Sequence, residues 1–347
     1  MLNGCIITRL AICWSMFAGS MFAGSMFASS ALAQTQFQET TNQPQKVQLS
    51  PAQMAATAQA QQQALANPTR QPPGFPLDPE HEKYVNDLLD FWEQNSKRVE
   101  KYRCGFIRYE YDSEAVNWRD PRNNRLAAHK ITQGQIRFAA PDRARYETTN
   151  VLQFSRPPQT PNGDAEYKQA NDAVSQERWI CDGKSLFDFD FSTKRLYETK
   201  IPPNMQGNIA ESPLPFIFGA EKKVIQERYW VRSATPEGVQ DEYWLELYPK
   251  RIQDARTYSK IELVIARKDF LPSAMHLYSA NYDPARGDET SSYFQFQDRE
   301  LNNQLFKLQD FFGAFVRPSV PLGWKRVDTQ VEASPRQADS TNGALNK

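Results

Sequence analysis

The chain has 347 residues, with 41 basic and 41 acidic side chains and so no formal net charge. That balance offers no field for nucleic acid or for an anionic membrane surface, and nucleic acid is excluded as a partner on that ground. Aromatic residues make up 12% of the chain, enough for a large apolar interior.

Residues 1–33 read as an export signal. Arg9 supplies the positive charge, an apolar stretch follows, and Ala31-Leu32-Ala33 is a small-residue cleavage site before Gln34. The apolar part repeats MFAGS, MFAGS, MFASS from Met16 to Ser30, a lengthening that costs nothing in a discarded segment. An uncleaved membrane anchor is the rival reading, since the stretch is long enough to span a bilayer, although its Gly, Ser and Ala content weakens it. Cleavage removes Arg9, Cys5 and Cys13, leaving 40 basic and 41 acidic side chains and two cysteines, Cys104 and Cys181. In an oxidising compartment these allow one disulfide; two buried thiols are the equal alternative.

Residues 34–76 are rich in Gln, Ala, Pro and Thr, lack a sustained apolar stripe and read as a disordered linker. Residues 328–347 read as a disordered tail. The folded unit is then residues 77–327, one large domain.

That unit opens on a helix. Asp78 caps it, Pro79 suits its first position, and Tyr84, Leu88, Leu89, Phe91, Trp92 and Val99 recur at helical spacing. Strands follow. Arg103–Tyr111 alternates, with Ile107, Tyr109 and Tyr111 on one face. Residues 135–138 and 143–148 are short strands around Pro141, with Ala144 and Tyr146 inward. Residues 152–173 are polar and Pro-rich and read as a loop. The clearest hairpin is ERWIC, Asp182-Gly183, KSLFDFDF, where Asp-Gly between alternating runs favours a tight turn. Phe187, Phe189 and Phe191 share a face. RLYETKI is a further strand. The Pro- and Gly-rich segment after it ends in an apolar run, Leu214 to Phe218, that fits a core anchor or a lid.

From Glu242 to Asp298 the alternation is sustained. Leu245 and Leu247, Ile261, Leu263 and Ile265, Met275 and Leu277, then Phe294 and Phe296 mark four strands joined by short turns. Period two means one buried face and one wet face. The whole is α+β, mainly β, with an antiparallel meander.

Catalytic constellations are absent from the sequence. It has no His-Glu-x-x-His, no Gly-x-Ser-x-Gly and no phosphate loop. His81, His129 and His276 fall at a helix start, a loop edge and an exposed strand position. Asp188 and Asp190 alternate with phenylalanines and read as solvated. No enzyme, metal site or cofactor is expected.

The order of elements resembles a known family. GQIRFAAPDRARYE is similar to the strand-Pro-strand segment of outer-membrane lipoprotein carrier proteins, the LolA/LolB-like superfamily. ERWICDGKSLFDFD looks like that family's strand, Asp-Gly turn and aromatic strand. YWLELYPK, IELVIARKDFLPSAMHLYS and YFQFQDRELN resemble its later strands, and FVRPSVPLGW its closing segment. The layout also resembles an uncharacterised exported group of planctomycete bacteria. The resemblance implies a strongly curved antiparallel sheet, an open half-barrel covered by helices, whose apolar cavity holds acyl chains at about 0.8 kcal/mol per buried methylene. Where the carrier has a lid-latching arginine before the Pro, this sequence has Ala140.

Two functions follow from that likeness. One is an exported, periplasmic protein holding a lipid or acylated protein in envelope lipoprotein trafficking. Phe106, Phe138, Tyr146, Phe187, Phe189, Leu245, Leu263, Met275, Phe294 and Phe296 would line its cavity. The other is an envelope-sensing or protein-interaction module that binds an envelope membrane protein without carriage. An apolar cavity of several hundred Å³ separates them.

Overall fold

The computed structural model describes residues 70–160, 163–170, 173–203, 221–303 and 313–330. The export signal, nearly all of the linker, the Leu214–Phe218 run and the tail beyond 330 lie outside the described residues. Among the described residues no helix is long and apolar enough to cross a membrane.

The chain opens with α1 (Pro79–Ser96), capped as its sequence predicts: the Asp78 carboxylate accepts from the backbone N–H of Glu80 and His81. Then come β1 (Lys101–Tyr111), a small hairpin of β2 (Arg119–Asp120) and β3 (Arg125–Leu126), β4 (Lys130–Ala139), β5 (Arg143–Arg156) and β6 (Glu166–Gln169). β7 (Arg178–Asp182), β8 (Ser185–Asp190) and β9 (Arg195–Lys200) follow. The second half contains α2 (Lys222–Arg228), β10 (Tyr229–Ser233), β11 (Glu242–Pro249), α3 (Ile252–Ala255), β12 (Tyr258–Ala266), β13 (Pro272–Ser279), β14 (Ser291–Leu301) and β15 (Lys325–Gln330).

Thirteen strands form one sheet in the order β10-β11-β12-β13-β14-β1-β4-β5-β7-β8-β9-β15, with β6 beside β5. It curves without closing into a barrel. The predicted meander is β11 to β14, and pairing of β14 with β1 joins it to the N-terminal strands. Pairing is antiparallel except at one edge, where β15 runs parallel to β9. The stretch read as a polar loop is partly strand: β5 continues to Arg156, and β6 pairs with its end. In the β7–β8 hairpin the turn residues are Gly183 and Lys184, of which Gly183 alone takes a positive φ, 91°. Asp182 closes the turn by accepting from the N–H of Lys184 and Ser185.

Register decides which side chains meet. Phe294, Met275, Leu263 and Leu245 are successive cross-strand partners on β14, β13, β12 and β11. Cys104, Ile136, Tyr146 and Trp179 form a second row across β1, β4, β5 and β7. These rows make the inner face. From α1, Val85, Leu88, Leu89 and Trp92 pack onto the same core. Tyr84 and Phe91, counted with the buried stripe from sequence, are instead about half exposed, and Val85 takes the inward position. Phe91 lies beside Phe270, 5.8 Å between ring centroids, and Phe270 beside Tyr243 at 5.5 Å.

Cys104 and Cys181 are both thiols, not a disulfide. Three strand spacings, about 14 Å of sheet, separate their strands, β1 and β7, whereas a disulfide needs Cα atoms within about 7 Å. Burial pushes both thiols up to about 12. A thiol reagent should therefore label neither in the folded protein and both after unfolding, and a reductant should leave Tm unchanged.

Candidate functional site: an apolar inner face with a charged end

Of the ten residues read from sequence as cavity-lining, eight lie in one core on the inner face: Phe106, Phe138, Tyr146, Leu245, Leu263, Met275, Phe294 and Phe296. Phe187 and Phe189 do not join them. They share a face with each other, as expected, but it is the opposite face of β8. There they pack with Ile180 and Leu196 under Phe191 and Trp324. The cause is register: Leu186 pairs with Cys181, so Leu186 takes the inner position and Phe187 the outer one. The C-terminal segment covers this second cluster, with Trp324 set edge-on to Phe189 and Phe191.

Aromatic rings run across the inner face in a ladder. Trp179 stacks on Tyr146 at 5.8 Å, Tyr146 on Phe106 at 4.9 Å, Phe106 meets Phe294 at 6.1 Å, and Phe294 meets Phe296 at 6.1 Å. β4 lies between β1 and β5, so Phe106 can reach Tyr146 only across a gap. Gly134 makes that gap. It pairs with Phe106, and a Cβ there would overlap the Phe106 ring and the Glu147 carbonyl oxygen.

Toward one end the inner face changes character. After Tyr102, Cys104 and Phe106, the next inward residues of β1 are Arg108 and Glu110, both buried. Their neighbours compensate the charge. The Arg108 guanidinium donates to both carboxylate oxygens of Glu177, at 3.1 and 2.5 Å, and to the Tyr146 hydroxyl at 3.2 Å. It also lies 3.1 Å from Glu110. Lys130 reaches Glu110 at 2.8 Å, and Thr132 donates to the same oxygen at 3.4 Å. Burial pushes the Glu110 carboxyl up, but Arg108 and Lys130 outweigh it and hold the group below the usual range. Two cations and two carboxylates thus form a neutral, water-poor cluster. Alternation alone puts Ile107, Tyr109 and Tyr111 on one face of β1; the structure makes that the outer face and buries the charged residues.

Beyond the cluster lies a cavity of about 80 Å³. Arg108, Glu110 and Phe294 form part of its wall, with His129, Tyr258 and Ser279.

On the outer face His276, expected to be exposed, is about three-quarters buried. Its ring stacks on Tyr278 at 4.1 Å and lies 5.5 Å from Tyr293 and 6.4 Å from Tyr111. Burial drives the imidazole down to about 4, against the pull of Glu262 and helped by Lys260. The unfolded chain therefore binds a proton that the folded chain refuses between about pH 6.5 and 4. This contribution, at most about 3 kcal/mol, is fully present above pH 6.5 and lost as pH falls through 4. His276→Phe should flatten the stability–pH curve over that window, and urea titrations at stepped pH check it.

No family model matches the chain, and no curated protein matches it. Solved structures do. An uncharacterized conserved protein from Thermus thermophilus aligns over 71% of this chain and 99% of its own, at 11% identity and TM-score 0.37. A LolA superfamily protein from Nitrosomonas europaea aligns over 67% and 97%, at 13% identity and TM-score 0.27. MucB of Pseudomonas aeruginosa, in its complex with MucA, aligns over 64% and 60%, at 12% identity and TM-score 0.30. A protein of the superfamily whose motifs the sequence resembles is among the structures that align.

Proposed function

We propose that this chain is an exported binding protein that holds a lipid or an acylated ligand against its inner face, in the manner of a lipoprotein carrier. One observation supports it most: the unbroken apolar row Phe294–Met275–Leu263–Leu245, continued by the aromatic ladder, shares one core with side chains of α1 and with Ile225 of α2. An acyl chain offers that surface the same contacts as Val85, Leu88, Leu89 and Trp92. Polar bonds hold α1 to α2: Gln226 to Asn86 at 2.6 Å, Lys222 to Asp90 at 2.8 Å, and the Lys222 N–H to Glu93 at 3.0 Å. Water can replace such bonds at little cost, so α1 is the cover that a ligand displaces. The export reading of residues 1–33 places this activity in the periplasm.

A specific observation favours a second reading, an interaction module without carriage. The inner-face residues are packed, each 6% exposed or less. The cavity at their end is about 80 Å³, far short of an acyl chain. In this reading the face is simply core, and a partner protein binds elsewhere.

The test is to pin the cover. Asn86→Cys and Gln226→Cys, joined by a reducible bifunctional thiol reagent in a Cys181→Ser background, tie α1 to α2. Uptake of a fluorescent palmitate analogue should fall about tenfold on bridging and recover on reduction. Uptake that bridging leaves unchanged places the ligand elsewhere. No uptake by either form favours the interaction module.

A further inference from the structure

The segment from Gly313 to Arg326 buries some of its side chains on the outer face of the sheet and holds others out. It is pinned at both ends. Phe315 is buried against Ala139, and the Ala314 carbonyl accepts from Arg145 at 3.4 Å. Trp324 lies 6.0 Å from Phe189 and 5.2 Å from Phe191, and the Lys325 N–H donates to the Lys194 carbonyl at 3.0 Å. Just before that second pin, Pro321 to Trp324 form a tight turn, closed by the Trp324 N–H on the Pro321 carbonyl at 3.0 Å. Gly323, at φ 78°, fills the third position, where such a turn needs a positive φ. Leu322 stands at the tip of the turn and is fully exposed, at 102%. Val316 and Val320 of the same segment are 63% and 37% exposed.

Single exposed apolar side chains are ordinary on a protein surface. Here three fall between Val316 and Leu322 on a backbone fixed at both ends, and the one at the tip buries no surface in the fold. A tip already held in place loses little conformational freedom when it binds. The charge around it is of one sign. Residues 313–326 contain Arg317, Lys325 and Arg326 and no acidic residue, and the adjoining β8–β9 turn adds Lys194 and Arg195. Lys194, Arg195 and Lys325 are exposed. The carboxylates that border the patch have partners of their own. Glu198 is buried and binds Arg317, at 2.8 Å, and Arg326; Asp190 accepts from the hydroxyls of Ser192 and Thr193; Asp328 lies 3.6 Å from Arg326. The zero net charge of the whole chain thus conceals a cationic rim around an apolar tip. That pattern matches a surface that is negatively charged outside and apolar within. A fluid bilayer receives a protruding side chain without a complementary pocket, which a protein partner would have to supply.

From these features we infer that the Leu322 turn is a membrane-docking tip. Leu322, with Val316 and Val320 of the same segment, enters the boundary between headgroups and acyl chains of a bilayer that carries anionic lipid, while Lys194, Arg195 and Lys325 engage the headgroups. The segment packs on the outer face of β8, so the tip is independent of any acyl chain on the inner face.

Flotation with lipid vesicles tests it on the full mature chain. The protein should bind mixed phosphatidylcholine–phosphatidylglycerol vesicles, bind phosphatidylcholine alone about tenfold more weakly, and lose affinity for the mixed vesicles as salt rises. Leu322→Ser should keep the Tm, since the native side chain buries nothing, and weaken binding about tenfold. Lys194→Gln with Lys325→Gln, which leaves the backbone bond between them intact, should remove the preference for anionic vesicles. Leu322→Cys reports position directly. Cys104 and Cys181 are shielded in the folded protein, so a polarity-sensitive fluorophore attaches at position 322, and its emission should shift to the blue on mixed vesicles. The acyl proposal is read separately: Leu322→Ser should take up the palmitate analogue as the native chain does, and a chain that takes up none should still dock through its tip. Absence of vesicle binding, binding that Leu322→Ser leaves unchanged, or a fluorophore that stays in water while the protein is bound overturns the inference. Self-association in sedimentation that Leu322→Ser abolishes, without vesicle binding, also overturns it and gives the tip to a second copy of the chain.

Discussion

Replacing Arg108 by methionine should lower the unfolding free energy by about 3–5 kcal/mol, because it strands buried carboxylates rather than because the ion pairs are strong. Arg108, Glu110 and Glu177 have side chains only 3 to 8% exposed. Without the guanidinium, Glu177 loses its bidentate partner, and Glu110 is left to Lys130 and Thr132. The control is Arg103→Met on the same strand. Its partner Glu300 is paired at a surface, with side chains 42% and 32% exposed, and about 1 kcal/mol or less is expected. The two differ also in pH response. The depressed Glu110 carboxyl contributes stability above the ordinary carboxyl range and loses it as pH falls through its folded value. In Arg108→Met the force holding that carboxyl down is weaker, so the deficit against the native chain should be largest near neutrality and shrink below about pH 5. Urea unfolding of both variants at pH 7 and pH 4 measures this; an Arg108→Met deficit no larger than that of Arg103→Met would show that the cluster is solvated.

Gly134→Ala should be the most damaging single-methyl change in the sheet, costing about 3 kcal/mol or more. The new Cβ would occupy the place of the Phe106 ring edge and crowd the Glu147 carbonyl. The Phe106 ring can withdraw only by abandoning Tyr146, with which it stacks, and Phe294 on its other side. Adding Phe106→Leu removes the ring clash but not the carbonyl contact. The double variant should therefore recover part of the loss, a coupling of about 1 kcal/mol or more in a double-mutant cycle. An additive pair would mean that the ring does not lie across Gly134.

Much of this architecture was legible in the sequence, and the exceptions have physical causes. Asp78-Pro79 marked the helix start because a cap and a fixed φ are local properties. The meander was legible because alternating Leu245, Leu263, Met275 and Phe294 each bury one face, and pairing then aligns them in one row. What alternation in β1 left unread is that its buried face continues through Arg108 and Glu110. The charges that compensate them, on Lys130 and Glu177, are about 20 and 70 residues distant in sequence and come together only through the pairing of β4, β5 and β7. Phe187 and Phe189 were read to the wrong side of the sheet for a similar reason: alternation says which residues share a face, not which face is inner, and the C-terminal Trp324 makes the outer side of β8 a second core. Gly134 carried a signal that could have been read, an isolated glycine inside an alternating strand, which marks a bulge or a close approach. The register does shift there, between Gln133 and Gly134.

The measurement that bears most directly on the proposed function is native mass spectrometry of the mature protein, purified from its own envelope under mild conditions. The account predicts a reproducible added mass that organic solvent removes and that lipid analysis identifies as an acyl-bearing molecule. A clean unliganded mass, with no uptake of added fatty acid or phospholipid, would contradict it and leave the inner face as the packed core of an interaction module.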